Sequence, residues 1–157
     1  MEQQGGCACG AIRYRLTAPP LIVHCCHCRD CQHLTGSAFA VNLWIEREHV
    51  EAEHAQLAAT RVTAGSGKPH DIFRCPRCGT AIYSKYHAAP GDTVLLRAGT
   101  LDRPEEIVPD VHIFTRSKMP WVVLPAGAPS FDAFYKLAEF WPEASRERLR
   151  RHIAAHG

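Results

Sequence analysis

No stretch of this sequence approaches the ~18 consecutive apolar residues that a helix needs to cross a bilayer. Strong charge is missing as well. The chain has 18 Lys and Arg against 16 Asp and Glu, a formal net charge of +2. That is too mild to argue for nucleic acid or an acidic membrane as a partner. The opening residues, Met1-Glu2-Gln3-Gln4-Gly5-Gly6, have neither a basic start nor an apolar core. No secretory signal is legible, so a cytoplasmic setting is expected. No segment repeats at a fixed period. The composition is otherwise ordinary, 46% hydrophobic over 157 residues, and favours one domain across 1–157 with room for a proper core.

Cysteine is what the chain has in quantity. Of its 8 cysteines, four lie in Cys25-Cys26-His27-Cys28-Arg29-Asp30-Cys31. A pair precedes them in Cys7-Ala8-Cys9-Gly10, another follows in Cys75-Pro76-Arg77-Cys78-Gly79, and none comes after Cys78. In a secreted chain such a number would suggest a disulfide framework. The clustering and the missing signal predict reduced thiols that hold metal instead. Thiolate pairs spaced C-x-C or C-x-x-C wrap a tetrahedral ion, so the clusters read as two zinc sites. For a closed structural site the binding energy is also folding energy, on the order of 10 kcal/mol.

Counting sulfurs suggests how the sites divide. Cys7, Cys9, Cys75 and Cys78 make a full tetrahedral shell, the pattern of a structural site. Cys26, Cys28 and Cys31 make three, leaving one position open, the pattern of a catalytic site. Spacing does not force this division. The central cysteines could instead pair with Cys75 and Cys78 as a ribbon, leaving Cys7 and Cys9 idle. A fourth ligand, His24 or His27, could also close the central site. If it stays open, a zinc held by three thiolates can lower the pKa of an incoming thiol or polarise a carbonyl oxygen.

Cys25 stands apart. Neighbours on an extended strand point to opposite faces, so Cys25 should not share a metal with Cys26 and is expected to be a buried structural thiol. His112 lies in an apolar run and reads as a core histidine, kept as a candidate proton acceptor. Most other histidines, including His152 and His156, are expected to be exposed. Trp44 and Trp121 read as core or pocket wall.

The periodicity predicts a mainly β fold. Strands are expected over Ala11–Leu16, Leu21–Val23, Ala38–Ile45, Leu57–Thr63, Ile72–Arg74, Ala81–Ser84 and Thr93–Ala98. Two short apolar runs follow, His112–Phe114 and Trp121–Leu124. Residues 28–35 can make one or two helical turns before Gly36, and Glu46–Glu53 a turn or short helix. In the tail, Ser130 is expected to cap a helix carrying Phe131, Phe134, Tyr135 and Ala138 on one face. Pro142 opens a second helix whose Arg146–Arg151 run reads as a solvated face.

Taken together, Gly6-Cys7-x-Cys9-Gly10, Cys26-His27-Cys28-x-x-Cys31, Gly36-Ser37-x-Phe39 and Cys75-x-x-Cys78-Gly79-Thr80 resemble the glutathione-dependent formaldehyde-activating enzyme family, which includes centromere protein V. Gly99-Thr100-Leu101-Asp102 and Ser117-Lys118-Met119-Pro120-Trp121 fit it too. The resemblance covers about residues 5–125 and leaves 126–157 as a helical C-terminal extension. It implies a β-tent zinc-binding fold with short helices. It implies structural zinc on Cys7, Cys9, Cys75 and Cys78, and catalytic zinc on Cys26, Cys28 and Cys31, with Cys28 able to leave the metal when glutathione is present. The implied activity is that of a carbon–sulfur lyase on a thiol–aldehyde adduct such as S-hydroxymethylglutathione. The implied partner is a small thiol or its adduct. A non-catalytic, zinc-stabilised binding module is the alternative.

Overall fold

A computed structural model describes residues 3–52 and 56–156. The fold is mainly β, with two sheets. The smaller sheet joins β1 (Gln3–Gly6), β2 (Arg13–Leu16) and β5 (Val50–Ala52), in that order and antiparallel. The larger contains β3 (Ile22–Cys26), β4 (Ala40–Glu46), β6 (Ala58–Thr63), β7 (Pro69–Arg74), β8 (Ala81–Tyr86), β9 (Thr93–Arg97), β10 (Val111–Ile113) and β11 (Ser130–Phe131). Its order is β11-β10-β3-β4-β9-β8-β7-β6. All its pairings are antiparallel except those of β10, which runs parallel to both β3 and β11. Three helices are found among the described residues: α1 (Arg29–Thr35), α2 (Leu137–Phe140) and α3 (Glu143–His156). None is long and apolar enough to cross a membrane.

β4 sits near the middle of the large sheet and is covered on both faces. Its period of two sends Leu43 and Ile45 into one buried cluster with Leu16, Val50, Tyr83 and Leu96. Ala40 and Trp44 go to the other, with Ile22, Cys26, Cys31, Ile113, Tyr135, Trp141 and Leu149. Each face thus has its own core, and the second core includes the cysteines of the central motif.

Most expected strands are present, and α1 ends at Gly36, which takes φ +64 as a left-handed C-cap. Glu46–Glu53 resolves into a 3₁₀ turn at Arg47–His49 and then β5, with Glu53 outside the described residues. The tail departs from expectation. No helix starts at Ser130. Ser130 and Phe131 pair with His112 and Ile113 as β11, because β10 leaves an edge that those backbone groups satisfy. Phe131, Phe134 and Tyr135 then pack on one another, with centroids 4.8–5.0 Å apart for Phe131–Tyr135 and Phe134–Tyr135, without helical backbone. The second helix forms as expected, but its basic run is not all solvated. Arg148 reaches back to the buried carboxylate of Glu46, at 2.7 and 2.5 Å.

The Trp121–Leu124 run is neither strand nor core. Trp121 is 72% exposed and Val123 89%. The Lys118 ammonium donates to the carbonyls of Met119 and Val122, curling the segment into a turn that faces outward. Trp44 and Trp141 occupy the second core instead, with ring centroids 5.1 Å apart.

Candidate metal centres

Two matching turns build the outer cluster. β1 and β2 flank the first, where Cys7 N–H donates to the Ile12 carbonyl and Gly10 N–H to the Cys7 carbonyl, both at 3.0 Å. β7 and β8 flank the second, where Cys75 N–H donates to Thr80 and Gly79 N–H to Cys75, both at 2.9 Å. Each turn closes on a glycine at φ +75, a conformation that other residues adopt only with strain. The turns bring Cys7, Cys9, Cys75 and Cys78 together, with all four sulfurs within 4.8 Å of one another. Two of the separations are 3.5 Å (Cys7–Cys9) and 3.9 Å (Cys9–Cys75). Four thiolates around zinc at about 2.3 Å stand about 3.8 Å apart, so this donor set fits a tetrahedral ion. Backbone N–H of Ile12 already points at the Cys7 sulfur, at 3.2 Å. A hydrogen bond with the Thr80 hydroxyl is the main cause that pulls the Cys78 thiol down to about 5. The alternative ribbon, with Cys7 and Cys9 idle, is not what the chain builds.

The central cluster forms where β3 hands over to α1. Cys26 ends the strand, Cys28 is the N-cap of the helix, and Cys31 lies in its first turn. Their sulfurs lie within 4.8 Å of one another. The sulfur of Cys28 accepts from Cys31 N–H at 3.4 Å. Hydrogen bonds from Cys26 and then Cys31 hold the Cys28 thiol far down, and those with Cys28 and then Cys31 push Cys26 up. One thiolate shared among three sulfurs is what a thiophilic cation would find here. Cys26 and Cys31 are buried, whereas Cys28 is partly exposed.

Neither histidine that could have served as a fourth ligand joins this group. His24 points its Nε2 at the Tyr135 hydroxyl, at 2.5 Å. His27 turns to the other side, with Nε2 3.6 Å from the Cys25 sulfur and 3.1 Å from Nδ1 of His112. Among the described residues no further Cys, His, Asp or Glu completes the trio. Cys25 is the buried thiol expected, 2% exposed and pushed up to about 12 by burial. It stands with His27 and His112, apart from Cys26. Burial also lowers the pKa of His27 and His112, so both rings are neutral at neutral pH. The histidines are more buried than expected: His24, His27, His70, His112 and His152 are all inside, while His156 is exposed.

The sequence reading missed the polar support of the trio. Asn42 on β4 approaches the Cys31 sulfur with its amide, at 4.0 Å, and its carbonyl accepts from the Arg97 guanidinium. Arg97 is 7% exposed, and its Nε and Nη2 have no partner among the described residues. Gln32 ties α1 down by donating to the carbonyls of His27 and Ser117, at 2.8 and 2.9 Å. A signal was present: Asn42 breaks the apolar run of a central strand, and Arg97 ends another. Arg97 also lines an open cleft of about 460 Å³, with Leu34, Thr35, Phe39, Arg74 and Thr80. The cleft runs between α1 and the second outer turn.

The profile of the glutathione-dependent formaldehyde-activating enzyme family matches residues 2–117, most of the chain. The chain belongs to that family. It is 28% identical over 128 residues to a Halomonas elongata protein provisionally named a glutathione-dependent formaldehyde-activating enzyme, covering 78% of this chain and 80% of that one. A Rhodobacter sphaeroides protein of known crystal structure aligns with 63% of this chain and 87% of its own, at 17% identity and a TM-score of 0.47.

Proposed function

We propose that this family member is a zinc-dependent carbon–sulfur lyase, working in the cytoplasm on the adduct of a small thiol, glutathione foremost, with a small aldehyde such as formaldehyde. The observation that carries this reading is the trio Cys26, Cys28 and Cys31, three sulfurs with no fourth side-chain ligand among the described residues. Zinc held there supplies a Lewis-acidic position that stabilises a thiolate at neutral pH, the leaving group in cleavage and the nucleophile in addition. Cys7, Cys9, Cys75 and Cys78 hold a second, structural zinc.

The protein's own groups divide the remaining work. Cys26 and Cys31 are buried anchors fixed by β3 and α1. Cys28, partly exposed at the helix cap, is the sulfur free to give way to substrate. The Arg97 cation, largely buried beside the cleft, offsets the negative charge that gathers on the sulfurs from a position where solvent screens such interactions weakly. Arg74 and Arg97 line the cleft and match an anionic thiol such as glutathione. The hydroxyl proton of the hemithioacetal passes to water, since His112 stands with Cys25 and His27 rather than with the trio.

The test is turnover of S-hydroxymethylglutathione by wild type and Cys31→Ser. The substitution abolishes turnover and the metal of the trio while leaving the fold intact, because the outer cluster keeps its four sulfurs. Full activity in Cys31→Ser would sink the mechanism. If the cobalt-substituted protein shows no spectral change with glutathione or any other thiol, the chain is instead a zinc-stabilised binding module.

A further inference from the structure

Helix α3 and the turn before β5 bring together three side chains that neither cysteine cluster uses. His152 and His156 stand at i and i+4 on one helix face, with ring centroids 4.5 Å apart. Glu48, on the Arg47–His49 turn, meets both. Its Oε1 is 3.0 Å from Nδ1 of His152 and its Oε2 is 3.5 Å from Nε2 of His156. One ligand atom from each residue falls within 4.8 Å of the others.

The arrangement is held from outside. One turn earlier, Arg148 clasps the buried carboxylate of Glu46 and fixes α3 against the end of β4. The His152 ring lies close over Gly91, where an added Cβ would come within 3.1 Å of it. His152 is 7% exposed as a result. The neighbouring cations already have partners, Arg148 on Glu46 and Arg151 on Glu147.

Tautomer chemistry then singles out the gap between His156 and Glu48. Nδ1 of His156 lies 3.0 Å from the backbone carbonyl of His152. A carbonyl only accepts, so Nδ1 carries the hydrogen and Nε2, beside the carboxylate, is the ring atom left to bind a metal. The carboxylate and both rings converge, each offering one ligand atom to the same point. Two imidazoles spaced i,i+4 on a helix with one carboxylate are the donor set of zinc-class ions that keep an open position.

We propose that Glu48, His152 and His156 form a further metal site, for a divalent transition ion of the zinc class, that clips the C-terminal helix to the Arg47–His49 turn. His152 and His156 lie beyond the residues 2–117 that match the family, so two of the three donors come from the C-terminal extension and one, Glu48, from the family core. It is independent of the lyase reading.

The experiment uses tag-free, full-length protein whose cysteine clusters are loaded with zinc. Calorimetric titration with zinc at neutral pH should show one further equivalent. Cobalt added to the same protein should bind without the thiolate charge-transfer absorption that a cysteine site gives, because no sulfur takes part. His156→Ala and Glu48→Gln, at exposed side chains, should each weaken this binding more than about tenfold, since loss of even an outer-shell partner costs roughly that much. A circular dichroism spectrum confirms that the variants fold. No further equivalent in wild type, or the same affinity in both variants, overturns the proposal.

Discussion

The Tyr135 hydroxyl bridges Trp141 and His24. The indole N–H of Trp141 can only donate, and it does so to the Tyr135 oxygen at 2.7 Å. The Tyr135 proton therefore goes to Nε2 of His24, 2.5 Å away, whose ring burial keeps neutral by lowering its pKa to about 4. This chain of hydrogen bonds ties the start of the tail to strand β3, two residues before Cys26. Tyr135→Phe keeps the ring but strands a buried donor and a buried acceptor. It should cost about 1–3 kcal/mol, read as a lower denaturant midpoint with an unchanged slope.

Arg148→Met tests the clasp on Glu46, which is 1% exposed. Burial pulls the Glu46 pKa up, but Arg148, with help from the Glu46 backbone N–H and His49, outweighs it and the net shift is downward. The pair therefore stabilises the wild-type fold above the unfolded carboxylate pKa, and this contribution is lost as pH falls through the folded value. With Arg148 gone, burial is opposed only by the Glu46 backbone N–H and by His49, and the folded pKa rises. The variant should lose about 2–3 kcal/mol near neutrality, less than a fully buried pair because Arg148 is 24% exposed. The deficit should shrink in acid, and a pH series of unfolding curves checks both signs.

Metal content and stability separate the two cysteine clusters. Purified, unchelated protein should carry about two zinc equivalents in them, one per cluster. Cys78→Ser should unfold the chain, because a closed structural site contributes on the order of 10 kcal/mol, more than a domain of this size can spare. Cys31→Ser should keep native circular dichroism and about one equivalent. Retained folding in Cys78→Ser, measured by near-ultraviolet dichroism, would remove the structural role.

Arg97→Met should act on the trio without touching a sulfur. The guanidinium and Asn42 stand behind Cys31, where outer partners tune a metal's ligands. Zinc affinity of the trio should fall about 10–100-fold, measured by competition with a chelator, with the outer cluster unaffected. Arg97→Lys should restore part of it, since charge survives although the planar fork does not.

What could be read from the sequence was whatever is local. Cys7-x-Cys9 and Cys75-x-x-Cys78 carry their own turn glycines, so each knuckle announces itself within five residues. The helix between Cys28 and Gly36 is legible for the same reason, having its cap and its stop in place. Partners set by tertiary structure were not legible. Phe131, Phe134 and Tyr135 show helical spacing, yet the open edge of β10 draws Ser130 and Phe131 into a strand. His152 looks like any histidine on a basic helix until its ring is seen lying over Gly91, where only a residue without a side chain leaves it room. Trp121 sits in an apolar run, but nothing in that run shows that Trp141, twenty residues later, fills the second core.

The parallel pairing of β10 with β3 delays closure of the sheet around Cys26 until well after both clusters have all their sulfurs. On the ribosome the chain emerges from its N-terminus. Cys26, Cys28 and Cys31 appear together, six residues from first to last, and can share an ion before any sheet exists. The outer cluster waits for Cys78 but then has all its sulfurs. Strand β3 gains its neighbour on one side from residues 40–46, and on the other only when Val111–Ile113 emerge. Its core is closed later still, by Tyr135, Trp141 and Leu149. A chain of which only the first 100 residues have emerged would thus hold every cysteine exposed to the cell's metal supply and the face around Cys26 still open to solvent.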